Sequence, residues 1–86
     1  MGKKKSDKQP LHKRVDFHGM TRVQALAELE KLIDRALLQE TPALEIIHGL
    51  GTGTLKEEIH KYLKSCKHVR AFKLDLHNPG VTWVYL

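Results

Sequence analysis

The chain has 86 residues, of which 41% are hydrophobic and 29% charged, and a formal net charge of +5. That length holds one small domain with a modest core. A single cysteine, Cys66, excludes an internal disulfide and fits a reducing compartment. No apolar run approaches membrane-spanning length. The N-terminal lysines are followed by no hydrophobic segment of the kind a secretory signal needs, so a cytoplasmic protein is the default expectation.

The position of the charge matters more than its size. Residues 1–14 hold six basic side chains against Asp7, while residues 15–86 hold nine basic and nine acidic ones. Residues 1–13 are polar, carry Pro10 and read as a disordered basic arm; residues 14–86 read as the folded domain. Such an arm is either an electrostatic handle for nucleic acid or a solubilising tail.

In chain order, Arg14 to His18 alternates and stops at Gly19, which predicts a short strand with Val15 and Phe17 on one side and Asp16 and His18 on the other. Thr21 and Gln24 form a capping box at the start of a helix that ends near Gln39 or Glu40, ahead of Pro42. Leu26, Leu29, Ile33, Ala36 and Leu37 are its expected core stripe. Leu44 to His48 predicts a buried second strand. It runs into Gly49-Leu50-Gly51-Thr52-Gly53-Thr54 and then a helix over 54–65, with Thr54 and Glu57 as a second capping box. Leu55, Ile59, Tyr62 and Leu63 form its apolar face, and Lys56, His60, Lys64 and Lys67 a basic stripe. Val69 to Leu74 is a third strand, Asn78-Pro79-Gly80 a turn, and Val81 to Leu86 a fourth strand. The order β-α-β-α-β-β predicts an α/β (α+β two-layer) sandwich. Its four-stranded mixed sheet carries two helices, with right-handed crossovers between parallel strands and an antiparallel last pair.

Ligands in open α/β sheets bind outside the C-terminal ends of the strands. Three segments converge there. The first brings Asp16, His18 and Gly19, and the second His48 and the Gly49–Thr54 turn. The third, if parallel, brings Asp75 and His77. A strand, glycine turn and helix start aim backbone N–H groups and the positive end of a helix dipole at one spot, which suits a phosphate. The plain alternative is a turn that needs glycine for its backbone angles. Asp16 and His18 can likewise be local turn partners, and His48 a satisfied core histidine. Asp16, His18 and His48 also make a ligand set for a divalent ion, although their spacing matches no dedicated zinc pattern. A Ser/His/Asp triad is set aside, because the only serine of the folded part, Ser65, lies at the far end of the second helix.

Asp16-Phe17-His18-Gly19 before a capped helix, His48-Gly49-Leu50-Gly51-Thr52-Gly53 before a second helix, and the terminal Gly80-Val81-Thr82-Trp83-Val84 strand together resemble the Smr (small MutS-related) domain over about Val15 to Leu86. The resemblance implies a fold like the C-terminal domain of translation initiation factor three, and nucleic-acid binding. Many members are endonucleases that nick DNA or cleave RNA, including messenger RNA on collided ribosomes. The family's Leu-Asp-Leu-His-Gly motif falls on Val15 to Gly19, with Val15 and Phe17 replacing leucines. Its His-Gly-x-Gly-x-Gly falls on His48 to Gly53 without loss. His18 stands where the branch attached to MutS2 often has Arg, so the chain looks more like the stand-alone branch. The last hairpin departs from the pattern, having only Asn78-Pro79-Gly80 where many relatives carry a longer glycine-rich loop.

The expected function is therefore DNA or RNA binding with endonuclease chemistry, or binding alone to nucleic acid or a ribosomal surface. In the first case Asp16, His18 and His48 are the catalytic candidates. Gly49, Gly51, Thr52, Gly53, Thr54 and Lys56 hold the phosphate, with Asp75 and His77 secondary. His18 leads as general acid/base because its unperturbed pKa lies near neutral. RNA cleavage through the 2′-hydroxyl needs no metal; DNA cleavage would draw on a water bound to a divalent cation such as Mg2+. DNA versus RNA and the oligomeric state stay open.

Overall fold

The computed structural model of the chain describes residues 12–86, so the expected arm over residues 1–13 lies outside the described residues except for His12 and Lys13, which are part of the first strand. The elements are β1 (His12–Asp16), α1 (Arg22–Leu38), β2 (Ala43–Ile47), α2 (Thr54–Ser65), β3 (Ala71–Leu74) and β4 (Val81–Tyr85). They follow the expected β-α-β-α-β-β order. The sheet order is β1-β2-β4-β3. β1 and β2 are parallel, and β4 is antiparallel to both β2 and β3. β3 therefore runs in the same direction as β1 and β2 although β4 separates it from them. The C-terminal ends of all three reach one edge.

Strand alternation sorts side chains onto two faces. Leu44, Ile46 and Val84 point to the helices and pack with Leu29, Ile33, Ile59, Leu63 and Phe17 in one core. Each such aliphatic side chain contributes roughly 1.5–3 kcal/mol by leaving water. The α1 stripe is rotated from the expected one. Ala25, Leu29, Leu32, Ile33 and Ala36 are buried, whereas Leu37 is exposed. Positions 25, 29, 32 and 36 keep the i, i+4, i+7 spacing, and Leu37 falls a step of about 100° beyond them. The α2 face is as expected, with Ile59 and Leu63 buried and Leu55 and Tyr62 packed at its margin.

The Thr21 capping box forms. Gln24 N–H donates to Thr21 Oγ1 at 3.2 Å, and Thr21 N–H donates to Gln24 Oε1 at 3.0 Å. At the other end of α1, Glu40 takes a left-handed φ of 57°. There Thr41 N–H donates to Ala36 O at 2.9 Å, closing the helix ahead of Pro42.

The limits of β1 and β3 differ most from expectation. β1 begins at His12, where the His12 ring reaches Glu45 on β2 at 3.3 Å. It ends at Asp16 because that carboxylate captures the His18 N–H. β3 begins at Ala71, because Val69 N–H is spent in a turn to Cys66 O. No helix among the described residues is long and apolar enough to cross a membrane.

Candidate nucleic-acid interface

At the end of β1 the chain turns on Gly19 (φ +87°), and Met20 N–H donates to Phe17 O at 3.0 Å. Asp16 Oδ1 accepts the His18 N–H at 2.9 Å and lies 3.2 Å from His18 Nδ1. These contacts, the backbone one foremost, hold the Asp16 carboxyl below the usual carboxylate range. An ionised carboxylate can only accept, so Nδ1 carries the proton of the neutral ring. Nε2 is left with a lone pair, on a side chain that is 70% exposed. Asp16 and His18 thus form an oriented pair at the rim of the sheet.

The β2 end lies beside it. A Cβ built on Gly49 (φ +83°) would meet His18 Cβ at 3.2 Å. Glycine there lets the turn close against the Asp16–His18 pair. On the other flank, a Cβ on Gly80 would meet Gly49 C and Cα at 3.2 and 3.3 Å. That close approach lets Gly80 O accept from both His48 N–H and Gly49 N–H, at 2.9 and 3.0 Å. Two amides of the glycine turn are therefore engaged rather than free. Among the described residues, the N–H groups of Leu50, Gly51, Thr52 and Gly53 donate to no protein acceptor.

The expected Thr54–Glu57 capping box is absent. The N-cap of α2 is Gly53, in the left-handed region with φ 85°, and no side chain caps the helix. Thr54 Oγ1 instead meets Thr52 Oγ1 at 2.8 Å. The positive φ sets the helix start where only glycine fits easily, and the side-chain cap is lost with it. Thr54 N–H donates to Thr52 Oγ1 at 3.3 Å, and the Leu55 and Lys56 amides of the first turn of α2 stay uncapped above the same spot. A cleft of about 310 Å³ opens there, lined by Gly19, Met20, Arg22 and residues 48–56. Lys56 lines it from α2. Arg22 lines it from α1 and ties the two helix starts together through Glu58 at 3.6 Å. The cleft therefore combines open amides, a helix N-terminus and two cations, the features that suit an anion.

His48 is 5% exposed and has both ring nitrogens committed. Nδ1 lies 3.1 Å from Gly49 O, and Nε2 2.8 Å from Thr82 Oγ1, which in turn lies 2.7 Å from His60 Nε2. A carbonyl only accepts, so His48 Nδ1 bears the proton and its Nε2 accepts from the Thr82 hydroxyl. Thr82 Oγ1 then accepts from His60 Nε2–H. This directed chain, with Thr82 completely buried, satisfies every group in it. Burial lowers the pKa of both rings, with a further push on His48 from Lys56 and on His60 from His48. Both are neutral at pH 7. His48 faces inward and fixes the glycine turn to α2 and β4.

Asp75 and His77 do reach the same edge. Asp75 Oδ2 accepts His77 and Asn78 N–H, each at 3.0 Å, and Oδ1 accepts Trp83 Nε1–H at 2.8 Å. Asp75 is thereby occupied in shaping the β3–β4 loop, and the Trp83 bond chiefly holds its pKa low. The expected basic stripe of α2 is broken, since His60 turns inward to Thr82 and stands edge-on to Phe72 at 4.9 Å. Lys64 and Lys67 are exposed away from the cleft.

Among the described residues no three His, Cys, Asp or Glu side chains are grouped to hold a metal ion. The Asp16–His18–His48 set does not fit one, because both nitrogens of His48 are bound inside the protein. Sequence reasoning missed Arg22, His60 and Thr82. Thr82 had a signal: Val84 points to the core, so a polar residue two positions earlier must point there too and find a partner.

A model of the Smr domain matches residues 15–86. The chain is 41% identical over 73 residues to Endonuclease MutS2 of Fusobacterium nucleatum, covering 85% of this chain and 9% of that protein. It is 42% identical over 67 residues to Endonuclease MutS2 of Streptococcus gordonii, covering 78% of this chain and again 9% of the relative. The chain thus spans about a tenth of the length of these curated relatives. Among solved structures, the Smr domain of Thermus thermophilus MutS2 superposes with a TM-score of 0.84 at 34% identity, covering 86% of this chain and 96% of that one. YdaL, a stand-alone small MutS-related protein from Escherichia coli, has a TM-score of 0.79 at 18% identity over 85% of this chain and 63% of that one, and shares the fold. With its motifs, topology and nearly whole folded length matched, the chain belongs to the Smr domain family.

Proposed function

We propose that the chain binds nucleic acid at this sheet edge and cleaves it as an endonuclease. The observation that carries the reading is the Asp16–His18 pair set against Gly49, beside a cleft of open amides and two cations. A backbone phosphate sits at Leu50–Gly53 and the first turn of α2. Lys56 and Arg22 balance its charge, and the preset N–H groups stabilise the charge that grows on phosphorus-bound oxygen during the displacement. His18 Nε2, aimed outward by Asp16, takes the proton from the attacking hydroxyl, the 2′-hydroxyl of RNA or a water; as the new P–O bond forms, the P–O bond to the leaving oxygen breaks and that oxygen takes a proton from solvent. The relatives named as endonucleases support this activity class. Asp16, His18 and His48 do not fit a resident metal, since both His48 nitrogens are bound inside the protein.

A second reading, binding without cleavage, is favoured by His48. Its nitrogens are tied inside the protein, so His48 is not free to protonate the leaving oxygen. The same edge then holds nucleic acid, ribosomal RNA included, without cutting it.

A cleavage assay separates the two. End-labelled single-stranded RNA, stem-loop RNA and supercoiled DNA are incubated with wild type, His18→Ala and Asp16→Ala, each with magnesium or EDTA. Cleavage lost in both variants with gel shifts retained supports the nuclease. Gel shifts without cleavage of any substrate support the binding module. Loss of cleavage in EDTA alone would add a substrate-borne cation to the mechanism.

A further inference from the structure

The helix-free face of the sheet has a composition that packing does not explain. Strand register places Arg14, Glu45, Trp83 and Lys73 in one row across all four strands, and His12, Ala43, Tyr85 and Ala71 in the next. None of these residues belongs to the hydrophobic core, and no described helix covers them. The chain's single Trp and one of its two Tyr thus lie on the face of the central strand β4 that no described helix covers, both partly exposed. The indole is fixed there. Its Nε1–H donates to Asp75 Oδ1 at 2.8 Å, and the His12 ring stands against it at 4.9 Å and 68°.

Cations flank the aromatic pair, with Arg14 on the edge strand β1 and the exposed Lys73 on β3. The one acid in the row, Glu45, is engaged by His12 at 3.3 Å and Arg14 at 3.9 Å. The following row, Asp16–Ile47–Val81, begins with the partner of His18. Two residues along a strand span about 7 Å. The aromatic face is therefore continuous with the Asp16–His18 rim.

We propose that this face is a docking platform for single-stranded nucleic acid, on which bases flanking the phosphate at the cleft stack on Trp83 and Tyr85 while Arg14 and Lys73 meet backbone phosphates. Partly exposed aromatics on a four-stranded sheet present a flat apolar surface that matches a base but not a paired duplex, whose base faces are already stacked. The inference deepens the reading above and rests on it for the position of the phosphate. It assigns the substrate class: an unpaired strand, bound with little sequence preference.

Trp83 is the chain's only tryptophan, so its fluorescence reports on the platform directly. Wild type is titrated at low salt with a labelled 12-nucleotide oligo(U), and with a duplex of equal length, following Trp emission and label anisotropy together. The single strand is expected to quench Trp83 saturably and to bind more tightly than the duplex. Trp83→Leu should weaken single-strand binding roughly tenfold or more, and Trp83→Phe, which keeps a ring, by much less. Lys73→Glu, at an exposed position, should weaken binding and flatten its salt dependence. Oligo(U) bound by anisotropy with no quenching, and with affinity unchanged in Trp83→Leu and Lys73→Glu, would overturn the platform while leaving binding at the cleft intact. No binding of either nucleic acid by wild type would overturn both. A change in Trp83 emission on deleting residues 1–11 without nucleic acid would assign the face to the arm. A dimer by sedimentation that Trp83→Leu dissociates would assign it to a second copy. Either result overturns the proposal.

Discussion

Replacing Thr82 with valine keeps the shape of a fully buried side chain and deletes the one hydroxyl that joins two histidines. His48 Nε2 loses its donor on a side chain that is only 5% exposed. A buried group left unpaired costs about 1–3 kcal/mol. His60 is only partly buried, so its freed N–H regains some hydration and adds less. The extra methyl returns a fraction of the loss through apolar burial. The net expectation is a destabilisation of about 2–3 kcal/mol, a large part of the roughly 5–10 kcal/mol that holds a domain of this size. For a chain of this length that lowers Tm by about 10–20 °C, measurable by calorimetry or circular dichroism. Thr82→Ser keeps the hydroxyl and removes one methyl, so it should cost only about 1 kcal/mol. Equal stability of Thr82→Val and wild type, or Thr82→Ser proving as damaging as Thr82→Val, would refute the directed hydrogen-bond chain.

Other outcomes follow from the same geometry. His48 and His60 both have pKa values below the ordinary 6.5 in the folded state, mainly through burial. The unfolded chain therefore takes up protons first as pH falls, and stability is full above about 6.5 and declines below it, which a Tm series from pH 8 to pH 5 would record. The lowered carboxyls of Asp16 and Asp75 act in the same direction at lower pH, their contribution being present above 3.8 and lost as pH falls further. Gly49→Ala meets both a φ of +83° and His18 Cβ at 3.2 Å, so it should lower Tm more than Gly53→Ala, where nothing lies within 4 Å and only the φ of +85° is strained. Strain of this kind costs about 1–2 kcal/mol per residue. Glu40→Gly relieves a left-handed φ of 57° at the end of α1 and should raise stability by about 0.5–1 kcal/mol, read from the urea midpoint. A change of sign there would mean that Glu40 makes a compensating contact.

The fold was legible because each element carried its own signal: the Thr21–Gln24 box, the alternation in Val81–Tyr85, and the α2 stripe of Ile59 and Leu63. Convergence on one edge was legible from strand direction, even with β4 inserted between β2 and β3. Local rules failed where tertiary contacts overruled them. Thr54 fits a capping box by spacing, yet the backbone at Gly53 starts the helix with open amides. His60 has the spacing of a solvated stripe, yet a hydroxyl 22 residues away draws it inward. Gly80 reads as turn chemistry, but its role is to let two chain segments touch, which no spacing announces. Departures of this sort tend to gather where a fold gives up local stability for a site.

The central claim is that the edge formed by Leu50–Lys56 and Asp16–Met20 receives the phosphate. Amide chemical-shift mapping of the labelled chain with a short single-stranded RNA at low salt tests it most directly. The largest shifts are expected at Leu50, Gly51, Thr52, Gly53 and the first turn of α2, with His18 and Gly19 moving beside them and Lys56→Ala reducing the affinity. Shifts confined to Lys64, Lys67 and the far end of α2, with the glycine turn unmoved, would contradict the account and place binding on the exposed basic surface instead.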